Sequence, residues 1–461
     1  MIAMTHIVRN REDLIARGRT DGEMRARKDL LDVVEATIRA VDPYGLVKDA
    51  MRLKGDRLSV GGVRIDLARI NRIYLAGAGK ACFQMARAAS EILAGRIERG
   101  IFNVPEKPHS DLGEELAFHV AGHPKPDQAG LRGAEEIVAM AKEAGPEDLF
   151  IMLLSGGGSA LLPYPAGGIT LEEKRELTSL LLACGARIDE VNCVRKHVSE
   201  IKGGRLAQAA SPARVISLIV SDVVGDPVES IASGPTSPDP STFQDAAAIL
   251  RKYGIFDRVP PGVRTRIERG VAGKVEETPK PGDRLFGKVA NLIIGSNRIA
   301  LEAAKAAAVK LGYATLIFTD RMEGEAREMG ILAASVLNSI GFGKLPLPPP
   351  CLVMMGGETT VTLVGPGDGG RNQELALTAS RKITGPGLLL SLATDGRDGP
   401  TDSAGAVVDR ETCRLAEQIG LSPEKAIADN AEYELLKKLG CHLFTGHTGT
   451  NVCDVVFILV P

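Results

Sequence analysis

Tryptophan is absent from the 461 residues, and aromatic residues make up only 4% of them. An aliphatic core of Val, Ile and Leu suits α/β layers with buried strands. Charge of one sign is also missing: the net charge is −2 and no basic block occurs. The chain therefore lacks the electrostatic footprint of a nucleic-acid or anionic-membrane binder, and small-molecule partners are expected. No apolar run approaches the ~20 residues of a membrane span, and the charged N-terminal stretch lacks the apolar centre of a signal peptide, so a soluble, cytoplasmic protein is expected. Seven cysteines are odd in number and scattered, without metal-ligand spacing, as free thiols in a reducing cytosol would be.

What is present is ample core material, with 44% hydrophobic and 25% charged residues. The length exceeds the ~250 to 300 residues at which one core stops growing, so two domains are expected. From about Leu30, helix-like segments alternate with short apolar runs ending in glycine or an acid, the rhythm of βαβ units. RIYLAGAGKA at Arg72 to Ala81 reads as strand, glycine turn and helix start; LFIMLLSGGGSALL at Leu149 to Leu162 repeats the plan. A helix follows in which Thr170 and Glu173 have capping-box spacing. RVISLIVSDVVGD at Arg214 to Asp226 reads as a third strand. Proline-rich stretches at residues 277–283 and 341–350 punctuate the chain. They place a domain boundary near residue 280, giving an extension 1–28, a domain 29–280 and a smaller domain 281–461. In the second, CLVMM and the alternating TTVTLV at Thr359 to Val364 read as strands flanking glycine clusters.

Several segments can handle anions. GAGK at Gly77 to Lys80 offers backbone amides and a lysine, although a turn glycine pair with a solvated lysine fits its spacing equally. A dinucleotide fingerprint would need a third glycine where Cys82 stands. SGGGS, comprising Ser155, Gly156, Gly157, Gly158 and Ser159, can form a nest of N–H donors for nucleotide phosphates. Arg195 and Lys196, in VNCVRKHVSEIKGGRLA, can offer cations to a small carboxylate or line a solvated face. Asp222, Glu358 and Asp395 follow strands, and magnesium needs only one or two carboxylates beside substrate phosphates; Asx turns are the alternative for each.

Taken together, GAGKA, LLSGGGSALL, VRKHVSEIKGG, SDVVGDPVESIASGPTSPDPST, GSNRIALEAA, GGETTVTL with GGRNQE, ATDGRDGPTDSAGA and GHTGTNVCD resemble the class II glycerate kinases, which carry a DUF4147 region and a C-terminal MOFRL domain. The resemblance is nearly end to end, excepting the extension before about Asp29. It implies a Rossmann-like, mainly parallel N-terminal sheet, a smaller α/β domain holding the MOFRL region at about 350–458, and a cleft site between them. It implies transfer of the γ-phosphoryl of ATP to the 2-hydroxyl of D-glycerate with Mg²⁺. By the same resemblance Lys80 and Arg371 are the catalytic cations, and Ser296 and Asn297 join SGGGS in nucleotide binding. A homodimer is a further expectation. Similar sequences also bear the label hydroxypyruvate reductase, an NAD(P)H enzyme, against which the missing third glycine argues.

Overall fold

The computed structural model describes residues 6–343 and 347–461. Residues 1–5 of the extension and 344–346 of the second proline-rich stretch lie outside them. The chain forms two compact units, residues 43–294 and residues 1–42 with 295–461. The division therefore falls later than residue 280, and the extension is part of the second unit. The sheet below supplies one reason and the N-terminal helices supply the other.

In the unit 43–294, a small antiparallel meander of β1 (Met51–Lys54), β2 (Arg57–Val60) and β3 (Val63–Asp66) precedes the main sheet. That sheet comprises β4 (Ile73–Ala78), β5 (Ile97–Val104), β6 (Leu116–Val120), β7 (Leu149–Leu154), β8 (Arg214–Val220) and β9 (Val289–Gly295), in the order β6-β5-β4-β7-β8-β9. The ladders β4–β5, β5–β6, β4–β7 and β7–β8 are all parallel. Helices on both faces bury such a sheet, which is why LFIMLL and IYLAGA are apolar throughout and buried at every position. β9 completes the edge, so the chain cannot leave this unit before its last strand is laid down. The predicted capping box closes the start of the helix Leu171–Ala183, with Glu173 N donating to Thr170 Oγ1 and Thr170 N to Glu173 Oε2. The segment VNCVRKHVSEIKGGRLA lies across two helices, Ile188–His197 and Arg205–Ala210, and the first ends at its cap, Val198, before the glycine pair.

The other unit holds a mixed sheet of β10 (Ala314–Met322), β11 (Cys351–Gly357), β12 (Leu388–Ala393), β13 (Gly405–Val408), β14 (His442–Leu443) and β15 (Asp454–Val460), ordered β10-β11-β15-β12-β13-β14. Only the β10–β11 ladder is parallel. Alternation along β11 sends Leu352 and Met354 into one core and Cys351, Val353 and Met355 into another. The first of these cores contains Leu30, Leu31, Val34 and Ile38 of the helix Asp21–Ala40, so the N-terminal segment is a covering layer of this sheet.

TTVTLV is not a strand. Beyond Gly357 the chain is a loop whose only bridge pairs Thr360 with Glu325, and Leu363 and Val364 are exposed. Its amides turn to side chains instead: Asn430 Oδ1 accepts from Val364 N at 2.8 Å and from Gly365 N at 2.9 Å. Alternation alone does not make a ladder when the backbone groups find other partners.

Candidate active site

The strand order of the first sheet reverses between β4 and β7, where an open α/β sheet opens a crevice at its carboxyl edge. GAGK leaves β4 and SGGGS leaves β7 at this point, and the two loops interlock. Lys80 N donates to Gly156 O at 2.9 Å, Ala81 N to Ser155 Oγ at 3.0 Å, and Ser155 N to Ala78 O at 3.1 Å. Gly79 (φ +141°) cannot carry a side chain, because a Cβ there would lie 2.1 Å from Ser155 Oγ. Gly157 is left-handed at φ +85°. Among the described residues, the amides of Gly156 and Gly157 make no hydrogen bond within the protein. These are the free donors a phosphate oxygen requires.

Asp222, just past the end of β8, borders the same loop, for a Cβ on Gly156 would lie 2.2 Å from its Oδ2. Lys80 is exposed at the loop mouth. His123 sits beside Gly157, and its pKa is lowered by burial and by the Lys80 charge. A single carboxylate beside free amides fits magnesium held chiefly by substrate phosphates.

At the far end of SGGGS, Ser159 Oγ and Ser233 Oγ are 2.8 Å apart, and Ser233 Oγ donates to Asn192 Oδ1 at 3.1 Å. Lys202, fully buried, donates to Ser159 O at 3.0 Å and to Ala232 O at 3.2 Å. Arg195 lies one helical turn from Asn192. Lys196 does not join it as a free cation, because its Nζ is 3.3 Å from the buried Asp239 carboxylate. Burial works against the charge of Asp239, and Lys196 with Ser241 and His197 holds its pKa below the usual range.

On the other unit, Arg371 is the first residue of the helix Arg371–Ser380. The Asp454 carboxylate, buried at the start of β15, grips it with two prongs: Nε to Oδ2, and Nη2 to Oδ1 at 3.0 Å. Nη1 reaches Glu358 at 2.7 Å. Burial disfavours the guanidinium charge, and these two acids more than restore it. The helix N-terminus itself is closed, since buried Asp398 accepts from Asn372 N at 3.1 Å and from Gln373 N at 2.9 Å. The glycines before it serve packing. A Cβ on Gly369 would meet Glu432 Oε2 and one on Gly370 the Asp398 carboxylate.

The remaining assignments fall unevenly. Glu358 is engaged by Arg371, and Asp395 Oδ1 accepts from Arg397 N at 3.0 Å in an Asx turn. Ser296 caps the helix Asn297–Lys310, and Asn297 Nδ2 is spent on the carbonyls of Val452 and Asp454, 2.9 Å each. Ser296 and Asn297 thus serve as structural ties at the start of their helix. No group of three or more His, Cys, Asp or Glu residues able to hold a metal occurs among the described residues. Sequence reasoning missed Asp454 and Lys174. A signal existed for Lys174, which falls on the apolar stripe Leu171, Lys174, Leu177, Leu181 of its helix. Among the described residues no disulfide joins the seven cysteines, and no helix is long and apolar enough to cross a membrane.

The family model described as a domain of unknown function, DUF4147, matches residues 29–268, and that of the MOFRL family matches 351–454. Glycerate 2-kinase of Pyrococcus horikoshii is 42% identical over 95% of this chain and 98% of its own length. D-glycerate 2-kinase of Thermotoga maritima is 38% identical over 94% and 98%. A protein of Agrobacterium vitis named putative hydroxypyruvate reductase is also 38% identical, over 96% of each chain. A crystal structure of a Pyrococcus horikoshii protein superposes with a TM-score of 0.83 over 94% of this chain and 98% of that one, and a glycerate kinase structure from Thermotoga maritima with 0.82 over 93% and 98%. With both family models in place and relatives alike across nearly their whole length, the chain belongs to the glycerate kinase family built from a DUF4147 region and a MOFRL domain.

Proposed function

We propose that this chain is an ATP-dependent glycerate 2-kinase, which transfers the γ-phosphoryl of ATP to the 2-hydroxyl of D-glycerate and releases 2-phosphoglycerate and ADP. The observation that carries the reading is the pair of interlocked loops at the sheet's switch point, with two unbonded glycine amides and Lys80 at the mouth. Full-length likeness to named glycerate 2-kinases supplies the acceptor.

In this reading the amides of Gly156 and Gly157 receive phosphate oxygens, with Ser155 fixing the loop to β4. Phosphoryl transfer passes through a loose, strongly anionic state, and catalysis comes from positioning and charge neutralisation rather than from a strong base. Lys80 and Arg371 supply that neutralisation. Asp454 fixes the plane of the Arg371 guanidinium, so no reorganisation is needed as charge develops. Asp222 would hold Mg²⁺ beside the phosphates, where the ion would neutralise charge on them; Glu358 and Asp395 are further candidate ligands. The acceptor carboxylate is met by Arg195.

A hydride-transfer reading, prompted by the Agrobacterium vitis relative, meets an obstacle at β4. The residue in place of the third glycine is Cys82, fully buried, and a Cβ on Gly77 would lie 2.4 Å from its Sγ. The test is ADP release from Mg·ATP with D-glycerate, L-glycerate or glycerol, run beside NADH oxidation with hydroxypyruvate. ADP formed only with D-glycerate supports the kinase, whereas NADH consumption without ADP overturns it.

A further inference from the structure

Among the described residues, Lys174, Arg195 and Lys202 of the unit 43–294 have no counter-ion. Lys174 of the helix Leu171–Ala183 is 3% exposed, and among the described residues its ammonium has neither an ion-pair nor a hydrogen-bond partner. Arg195 of the helix Ile188–His197 likewise has none. Lys202 is fully buried and touches only the carbonyls of Ser159 and Ala232. The three feel one another: burial, then Arg195, pulls Lys174 down to about 8, and Lys202 is lowered by burial and by both neighbours. Buried lysine without a partner is costly, and a cluster of three is costlier. Lys196, one residue from Arg195, shows how the fold treats a cation it uses for structure, since it is met by Asp239.

We propose that Lys174, Arg195 and Lys202 form a buried subsite for the carboxylate of a small hydroxy acid, beside the hydroxyls of Ser159 and Ser233. The two serines and Asn192, already in one hydrogen-bonded chain, offer donors and acceptors suited to the ligand's hydroxyls. The burial of Lys174 and Lys202, with Arg195 partly buried, suits a small acid and not a nucleotide triphosphate, for which the amides of Gly156 and Gly157 lie elsewhere on the same loop. The assignment rests on the kinase reading only for the acid's identity.

Lys174→Met keeps the apolar stem and removes the charge. Thermal unfolding without nucleotide is measured for parent and variant, with and without D-glycerate, alongside steady-state kinetics. The variant alone is expected to unfold at the same temperature as the parent or higher, because an unpaired buried charge is gone. D-glycerate should stabilise the parent and leave the variant nearly unmoved, and the variant's KM for D-glycerate should rise about tenfold to a hundredfold with KM for ATP unchanged. A destabilised Lys174→Met would mark a structural lysine and overturn the subsite, as would a rise in KM for ATP alone. Arg195→Met, on a different helix, repeats the ligand arm should Lys174→Met not fold. A D-glycerate shift lost in the variants, in a protein that makes no ADP, would uphold the subsite and sink the kinase. ADP formation with unchanged KM in both variants would do the reverse.

Discussion

Asp454→Asn changes one atom at the point where the second unit holds its arginine. In the parent, both carboxylate oxygens accept from Arg371, through Nε and Nη2. The asparagine retains one acceptor and turns an NH2 group toward a guanidinium that has only donors. Breaking a buried pair costs about 3 to 5 kcal/mol when both ions are enclosed. Here Asp454 is 1% exposed but Arg371 is 32% exposed, so water recovers part of the arginine's loss and about 2 to 3 kcal/mol is expected. For a unit of about this size that corresponds to a fall in Tm of about 4 to 12 °C. Glu358, which touches the same guanidinium, is 43% exposed, so Glu358→Gln should cost under about 1 kcal/mol. Calorimetry of the two variants beside the parent separates them, and kinetics adds a second readout. A guanidinium displaced by about 1 Å should lose about a hundredfold in kcat. Equal melting temperatures for parent and Asp454→Asn, with kcat within twofold, would refute the positioning argument.

Lys80→Ala and Arg371→Ala should each lower kcat about a hundredfold or more while the protein keeps its fold, checked by turnover and circular dichroism. Gly156→Ala places a methyl against the Asp222 carboxylate and should raise KM for ATP severalfold with little change in KM for glycerate. Burial, followed by Glu374 and Asp398, pushes the Glu432 carboxyl up to about 8. The folded state then holds a proton that the unfolded state releases above its ordinary value near 4.5, so this group's stabilisation fades as pH rises from about 4.5 to 8. Glu432→Gln should flatten the decline in Tm across that window, and an unchanged slope would contradict the assignment.

Local pattern made some of this legible. The Thr170–Glu173 box, the all-apolar strands β4 and β7 with the glycine runs behind them, and the strand β8 rest on neighbours within a few residues, and each is where the sequence places it. What escaped depends on distance along the chain. Arg371 meets Asp454 across 83 positions and Lys196 meets Asp239 across 43, and no spacing rule reports such pairs. The alternation of TTVTLV satisfied the strand pattern but makes a single isolated bridge, Thr360 with Glu325, instead of a ladder. The glycine cluster after TTVTLV has a packing role that sequence alone does not show: Gly365, Gly367 and Gly369 approach residues 429–432, where a side chain would clash. Residues 1–28 matched no motif, yet their helices cover a sheet formed 300 residues later.

The most direct measurement couples the product of Mg·ATP and D-glycerate to enolase. Immediate enolase turnover, matching ADP release mole for mole, is the predicted result and places the phosphoryl group on the 2-hydroxyl. Enolase activity that waits for added phosphoglycerate mutase would put the group on the 3-hydroxyl, and an absence of ADP altogether would contradict the kinase.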